Sequence, residues 1–182
     1  MTVELTVPAG DGTPGLLLRP WAADDAEALA AEHRDPRMRR WLMNTLDSAD
    51  DAGRWIAWQT ESWQAGLRYS FAVVEPDAAR VVGHVAVKRK AAQDASGEIG
   101  YWTAAAVRGR GIAPLAVDAV TRWALDAGCP GLTRLDLLHA VGNAASCRVA
   151  AKCRFPLLEE LAPHPPKFPE AGHRHVREPG AG

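Results

Sequence analysis

Val107-Arg108-Gly109-Arg110-Gly111-Ile112-Ala113 is the stretch on which the reading of this chain turns. It follows a strand-like run over 98–103 and leads into Ile112, Leu115, Ala116, Ala119, Val120 and Trp123. Their 3.6-residue spacing predicts a long amphipathic helix, ended by Gly128 and Pro130. Two glycines one residue apart let the backbone turn tightly and come close to a ligand. Free amides at the helix start, at the positive end of its dipole, make an anion site, and two arginines add charge beside it. The expectation is a pyrophosphate cradle built largely of main chain. A P-loop is excluded, because no Gly-Lys-Ser/Thr ending is present. A dinucleotide-binding fingerprint fails too, since its third glycine would fall at Pro114.

Working outward, Leu16-Leu17-Leu18 reads as a strand stopped at Arg19-Pro20, and a helix begins near Asp24 until Asp35-Pro36 interrupts it. Met38, Trp41 and Leu42 form a further apolar face, and Ser48-Ala49-Asp50-Asp51 starts a helix that Gly66 closes. The runs 69–74 and 80–87 make a hairpin around Pro76-Asp77. A strand over 132–138 and a helix over 143–153 follow, and Leu157 begins a possible terminal hairpin. Six of the thirteen prolines lie from Pro156 onward. The predicted order is strand, two helices, three strands, helix, strand, helix, hairpin. That describes an α/β (α+β) chain, one domain over 1–182 with a proline-rich segment from about 156 and a mixed, mostly antiparallel sheet.

Composition narrows the function. A chain of 182 residues with 47% hydrophobic and 24% charged residues belongs with folded globular proteins. Twenty-one basic against 22 acidic side chains leave a formal charge of −1, which offers nucleic acid no field. No run approaches the roughly 18 apolar residues that span a bilayer, so no membrane partner is expected. Met1-Thr2-Val3-Glu4 lacks a signal peptide's basic and apolar regions, and three cysteines without a CxxC read as reduced thiols; a cytoplasmic location is expected. Seven tryptophans stand against two tyrosines and three phenylalanines.

Arg108-x-x-Gly111-x-Ala113 after a strand resembles the acetyl-CoA loop of the GNAT N-acetyltransferases. Asn143-Ala144-Ala145-Ser146-Cys147-Arg148-Val149-Ala150-Ala151-Lys152-Cys153-Arg154-Phe155 is similar to that family's second cofactor motif, Asn-x-x-Ser-x-Arg-x-x-x-Lys-x-Gly-Phe. Gly97-Glu98-Ile99-Gly100-Tyr101-Trp102 is similar to the fourth strand of the subgroup that acetylates ribosomal-protein N-termini. The resemblance covers roughly 16–155. It implies a GNAT fold with about four helices, a sheet splayed between its fourth and fifth strands, and acetyl-CoA as cosubstrate. It assigns the pantetheine arm to main chain around Trp102 and Thr103, with Asn143 reaching it. The pyrophosphate falls to 108–113 (Arg108, Gly109, Arg110, Gly111, Ile112 and Ala113), and Ser146 shares the face of Asn143.

Amide formation from a thioester needs a neutral amine, a stabilised oxyanion and a protonated leaving thiolate. Glu98 is the candidate base, with a solvated strand start as the plain alternative. Many family members place a tyrosine seven residues after the helix asparagine to protonate the thiolate; here that position is Ala150. In the ribosomal-protein subgroup a serine at the Ser146 position serves instead, with helix capping as the plain alternative. The family's Gly-Phe is Arg154-Phe155 here. His173-Arg174-His175 has no further Cys or His close by in the chain, so no metal is expected. His84, His139 and Cys147 read as packing or hydrogen-bonding residues, and Lys88-Arg89-Lys90 as a solvated hairpin end. The implied acceptor is a small-molecule amine or a peptide N-terminus, on a monomer or homodimer. Asp47, Asp50 and Asp51 could favour a polycationic acceptor, and Trp41, Trp55, Trp58 and Trp63 could wall an apolar one. A CoA-binding sensor without chemistry is the competing expectation.

Overall fold

The computed structural model describes residues 3–10, 12–42, 44–166 and 168–180. Strands β1 (Leu5–Val7), β2 (Leu16–Pro20), β3 (Arg68–Glu75), β4 (Arg80–Lys88), β5 (Ser96–Thr103), β6 (Arg134–Ala140), β7 (Leu157–Leu161) and β8 (Gly172–Arg177) form one sheet in the order β1-β2-β3-β4-β5-β6-β8-β7. Helices α1 (Ala26–Glu32), α2 (Pro36–Arg39) and α3 (Ala49–Gln64) lie between β2 and β3 in the chain. Helix α4 (Ile112–Trp123), extended by a π turn over 124–128, links β5 to β6, and α5 (Ala144–Lys152) links β6 to β7. Every neighbouring pair is antiparallel except β5 and β6. A parallel pair needs a crossover, and α4 is that crossover. No described helix is long and apolar enough to cross a membrane.

Helix starts follow the sequence signals. The Asp35 carboxylate accepts the Arg37 amide at 3.0 Å, and Ser48 Oγ accepts the Asp51 amide at 3.1 Å. Each satisfies an amide that the first helical turn leaves without a partner. Asp51 also takes the Arg54 guanidinium at 2.5 Å, and Asp47 takes Arg39 at 2.6 Å. Of the acids that could have marked a polycation pocket, Asp47 and Asp51 are thus occupied locally, and Asp50 lies exposed in the first turn of α3.

The sheet buries both faces, which explains the unbroken apolar run in β3. Phe71, Val73, Val85, Val87, Ile99, Leu135 and Leu137 pack against Ile112, Ala116, Val117 and Val120 of α4 and Ala150 of α5. On the opposite face Ala72, Val74 and Trp102 meet Leu29 and Ala30 of α1 and Ala52 and Ile56 of α3. Alternation along β3 thus assigns neighbouring residues to different cores.

Three differences from the sequence expectation stand out. β1 is a three-residue edge strand paired with β2, too short to announce itself by periodicity. α2 stops at Arg39, short of the expected Trp41 and Leu42. The proline-rich tail contains a regular hairpin, with β8 inserted between β6 and β7 and four of the prolines confined to the connection over 162–171. The chain reversal after α5 also survives without the family's glycine. Arg154 takes the left-handed conformation, φ 57°, while Phe155 N–H returns to Ala150 O at 2.9 Å and Arg154 N–H to Ala151 O at 3.2 Å. That pair of bonds is a Schellman cap carried by an exposed arginine. Glycine avoids the side-chain clash of this conformation, so Arg154→Gly is expected to stabilise the chain by about 0.5–1 kcal/mol after its own entropy cost. Thermal denaturation should show a Tm increase of about 1–4 °C; no increase would mean that Arg154 makes compensating contacts.

Candidate active site

The site begins where one strand pair comes apart. β5 and β6 are in register from Ser96↔Arg134 to Ile99↔Leu137 and no further. Beyond that point residues 100–103 stay with β4, from Gly100↔Ala86 to Thr103↔Gly83, while residues 138–140 stay with β8, from Leu138↔Arg174 to Ala140↔Gly172. The two facing edges diverge in a V, and among the described residues neither has a strand partner across it. An unpaired edge of amides and carbonyls is a template for an extended ligand. Thr103 lies on this edge. The Trp102 side chain is buried between Trp21, His33 and His84, at centroid distances of 6.2, 5.9 and 6.0 Å, and its backbone pairs with His84 of β4, so Thr103 is the residue whose main chain faces the gap.

The edge runs through a short helical turn over 105–107 into the glycine loop. Gly109 and Gly111 have φ of 82° and 79°, a region that L side chains rarely adopt. A Cβ on Gly109 would meet nothing within 4 Å, so the space above the loop is open. The amides of Gly109, Arg110 and Gly111 find no backbone acceptor among the described residues. Ile112 and Ala113 open the first turn of α4, where amides lack helical partners, and Leu115 N–H returns to Gly111 O at 3.4 Å. Pro114 has no amide to waste there. This arrangement fits a diphosphate. The two arginines are not free to help as simple cations. Arg108 is ion-paired with Asp35, and Arg110 lies 2.8 Å from Glu75, which also holds Arg80 at 2.7 Å. Burial acts to raise the Asp35 carboxyl, but the Arg108 hydrogen bond, the Arg37 amide and the Arg108 charge outweigh it and hold it below the ordinary value. Attraction at this loop therefore comes mainly from amides and the helix dipole.

Across the gap, α5 starts with Asn143, whose Oδ1 accepts the Ser146 amide at 3.3 Å. Ser146 Oγ accepts the Tyr101 hydroxyl at 3.0 Å, a bond from the diverging part of β5 to the first turn of α5. Sequence reasoning missed Tyr101. The available signal was its place two residues beyond Ile99, on the face that β5 turns toward α5. Ala150, where a family tyrosine would stand, is fully buried against the core and leaves no room for a ring. Burial pushes the Tyr101 phenol up to about 12, against an opposing contribution from the Ser146 bond, so it keeps its proton at neutral pH. Glu98 lies one residue before the gap opens and is ion-paired with Lys88 at 2.7 Å. It shares a strand face with Trp102, the face covered by α1 and α3.

The remaining candidates separate cleanly. His84 is buried, its Nδ1 3.1 Å from Trp21 Nε1 and 3.1 Å from Phe71 O, and burial holds its pKa well below the ordinary value. Arg89 is buried and donates to Asp94 O at 2.6 Å, so Lys88-Arg89-Lys90 is a braced hairpin end and not a phosphate patch. Trp55 packs on Trp21 and His84, and Trp63 on Tyr69, Phe71 and Trp123. Trp58 is half exposed with Arg68 over its ring. Trp41 is the tryptophan of that group left near the gap: a Cβ on Gly142, one residue before the α5 cap, would stand 3.8 Å from its Cη2. The fold also brings His139 and Cys147 up to the His173 and His175 pair. Burial pushes Cys129 and Cys153 up to about 12, leaving them protonated in the core.

The family model described as "Acetyltransferase (GNAT) domain" matches residues 15–156. No curated protein matches the chain. Among solved structures, ribosomal-protein-S5-alanine acetyltransferase from Vibrio fischeri is 18% identical with a TM-score of 0.80, covering 97% of each chain. RimJ of Mycobacterium smegmatis, in complex with CoA-disulfide, is 18% identical with a TM-score of 0.80, covering 98% of this chain and 87% of its own. The microcin C7 self-immunity acetyltransferase MccE, in complex with acetyl-CoA and AMP, is 19% identical with a TM-score of 0.77, covering 94% and 97%. At such identities the likeness is one of fold.

The Tyr101 phenol provides a test of the site's geometry. Its folded pKa is raised from 10 to about 12, so its contribution to stability is full below pH 10 and is lost as pH rises toward about 12. Urea denaturation of the wild type and Tyr101→Phe should show their stability difference narrowing by about 1 kcal/mol between pH 9 and pH 11. A constant difference would mean that the phenol titrates as an exposed one.

Proposed function

The chain belongs to the GNAT acetyltransferase family, and from that premise we propose that it transfers the acetyl group of acetyl-CoA to a primary amine by direct attack. The observation that carries the reading is the gap itself: an unpaired β5 edge that runs directly into a loop of unpaired amides. Pantetheine, an extended chain of amides, suits the edge around Thr103, and the diphosphate suits residues 109–113. Asn143 keeps its side-chain NH₂ for the pantetheine while its oxygen caps α5. RimJ and MccE, similar in fold, were solved with CoA-disulfide and acetyl-CoA.

The reaction requires four moves. The amine loses a proton to Glu98, directly or through water; the carboxylate is half exposed and on the face where an acceptor would enter. The amine nitrogen then attacks the thioester carbon, with the Thr103 main-chain amide facing the developing oxyanion, since the Ala104 amide is taken by Val82 O. The C–N bond forms, the C–S bond breaks, the nitrogen gives up its second proton to water, and the thiolate takes a proton from Ser146 Oγ. Tyr101, already donating to that oxygen, replaces the proton and regains its own from solvent as Glu98 releases the one it took. Two features favoured a sensor without chemistry: the missing tyrosine and the irregular tail. Tyr101 supplies a phenol by another route, and the tail holds a regular hairpin.

Release of CoA thiol with a panel of small amines and peptide N-termini tests the activity; acetyl-CoA binding without turnover across the panel would favour the sensor. Ser146→Ala should lower kcat by roughly 10²-fold with little change in acetyl-CoA affinity, and Tyr101→Phe should lower it less. Unchanged turnover in Ser146→Ala removes that residue as the acid. Gly111→Glu should abolish cofactor binding, and normal binding would sink the cradle. Trp41→Ala should shift preference among acceptors without altering acetyl-CoA affinity, and an unchanged preference would make Trp41 scaffold.

A further inference from the structure

Four side chains from three elements converge outside the groups that the acetyl-transfer reading uses. His139 comes from β6, Cys147 from α5, and His173 and His175 from β8. One ligand atom from each lies within 4.8 Å of the others. His139 Nε2 is 3.2 Å from His175 Nε2, and Cys147 Sγ is 3.5 Å from His139 Nε2 and 3.2 Å from His173 Nδ1. Around a tetrahedral zinc ion with Zn–N of about 2.0–2.1 Å and Zn–S of about 2.3 Å, neighbouring donors stand about 3.3–3.6 Å apart. Three edges of that tetrahedron are already close to this length.

The outward-facing atoms strengthen the argument. His139 Nδ1 lies 2.8 Å from Ala140 O, and His175 Nδ1 lies 3.1 Å from Phe155 O. A carbonyl accepts only a donated N–H, so both imidazoles carry their proton on Nδ1. Two Nε2 lone pairs then face each other across 3.2 Å, which a hydrogen bond between neutral rings does not satisfy. On His173 the ring's other nitrogen, Nε2, is 3.6 Å from the Glu160 carboxylate. The Nδ1–carbonyl bonds of His139 and His175 are the backing that metal-binding histidines carry, while His173 Nε2 faces its carboxylate beyond hydrogen-bond length. A proton could join two of these donors; a divalent cation joins all four.

We propose that His139, Cys147, His173 and His175 bind one zinc ion. Three imidazoles and a thiolate suit a borderline-soft tetrahedral ion and not magnesium or calcium, which take oxygen ligands. Binding displaces the Cys147 thiol proton to solvent. The ion would tie the first turn of α5, which also carries Asn143 and Ser146, to the β6–β8 pair. Four protein ligands fill the tetrahedron, so the ion is structural and takes no part in acetyl transfer.

The test uses the untagged full-length chain, stripped with chelator and titrated with Co²⁺ and Zn²⁺. One equivalent of Co²⁺ should give the intense visible bands of a four-coordinate ion together with a thiolate-to-cobalt band in the near ultraviolet, and Zn²⁺ should displace it. Cys147→Ser should remove the thiolate band, and both it and His173→Ala should weaken Zn²⁺ binding by at least about 100-fold. That exceeds the 10–100-fold loss typical of an outer partner. Circular dichroism confirms that each variant is folded. Absence of a four-coordinate cobalt spectrum in the wild type overturns the proposal, as does Zn²⁺ affinity that folded Cys147→Ser and His173→Ala variants leave unchanged.

Discussion

The parting of β5 from β6 is the constraint on which the rest of the molecule depends. Up to Ile99↔Leu137 the two strands share hydrogen bonds; beyond it each keeps its other neighbour and turns away. A sheet opened in the middle leaves main-chain donors and acceptors without strand partners, and such groups are costly wherever nothing else satisfies them. The opening persists because each lip is held from behind. β4 pairs with β5 as far as Thr103, and β8 pairs with β6 as far as Ala140. The C-terminal hairpin is therefore part of the site's architecture, although none of its residues faces the β5 edge through a strand pairing.

Aromatic residues are distributed according to this constraint. The tryptophans divide between the two sides of the sheet: Trp21, Trp55 and Trp102 gather with His33 and His84 under α1 and α3, while Trp63 and Trp123 meet Tyr69 and Phe71. The first cluster backs the diverging end of β5 with large, stiff rings, so the Trp102 side chain anchors the lip whose main chain is free. Indole abundance in this chain is chiefly a packing solution for a sheet buried on both faces. Two indoles depart from this: Trp58 is half exposed under Arg68, and Trp41, exposed beside Gly142, leaves an aromatic surface near the opening.

The cofactor half was legible in the sequence because its signals are local. Gly109, Gly111 and the helical period after them are contiguous, and so are Asn143 and Ser146; the structure shows the left-handed glycines, the free amides and the capped helix that these spacings imply. What escaped depends on contacts between distant segments. Tyr101 and Ser146 are 45 residues apart, and His139 and His175 are 36 apart. Strand alternation shows which way Tyr101 points, but not what stands opposite. Charge counting misled for the same reason: Arg108 and Arg110 read as cations beside the loop, yet Asp35 and Glu75, far upstream, neutralise them. Arg154 shows that a local rule can also be overridden, since a Schellman cap formed on a residue that pays the left-handed strain.

The start of α5 joins these strands of evidence. Three consecutive positions face three different demands: Ala145 continues the turn, Ser146 takes the Tyr101 bond, and Cys147 turns to His139 and His173. A helix of nine residues has little rigidity of its own, and isolated helices of that length are marginal in water. Its position must come from what it touches. Ala150 and Cys153 seat its inner face in the core, Asn143 fixes its first turn, and Tyr101 ties that turn to the opposite lip. The Cys147 cluster is placed to fix the same turn against β6 and β8. The first turn of α5 is thus the point where contacts from both sides of the gap meet: the Tyr101 hydroxyl reaches it from β5, and His139 and His173 reach it from β6 and the hairpin.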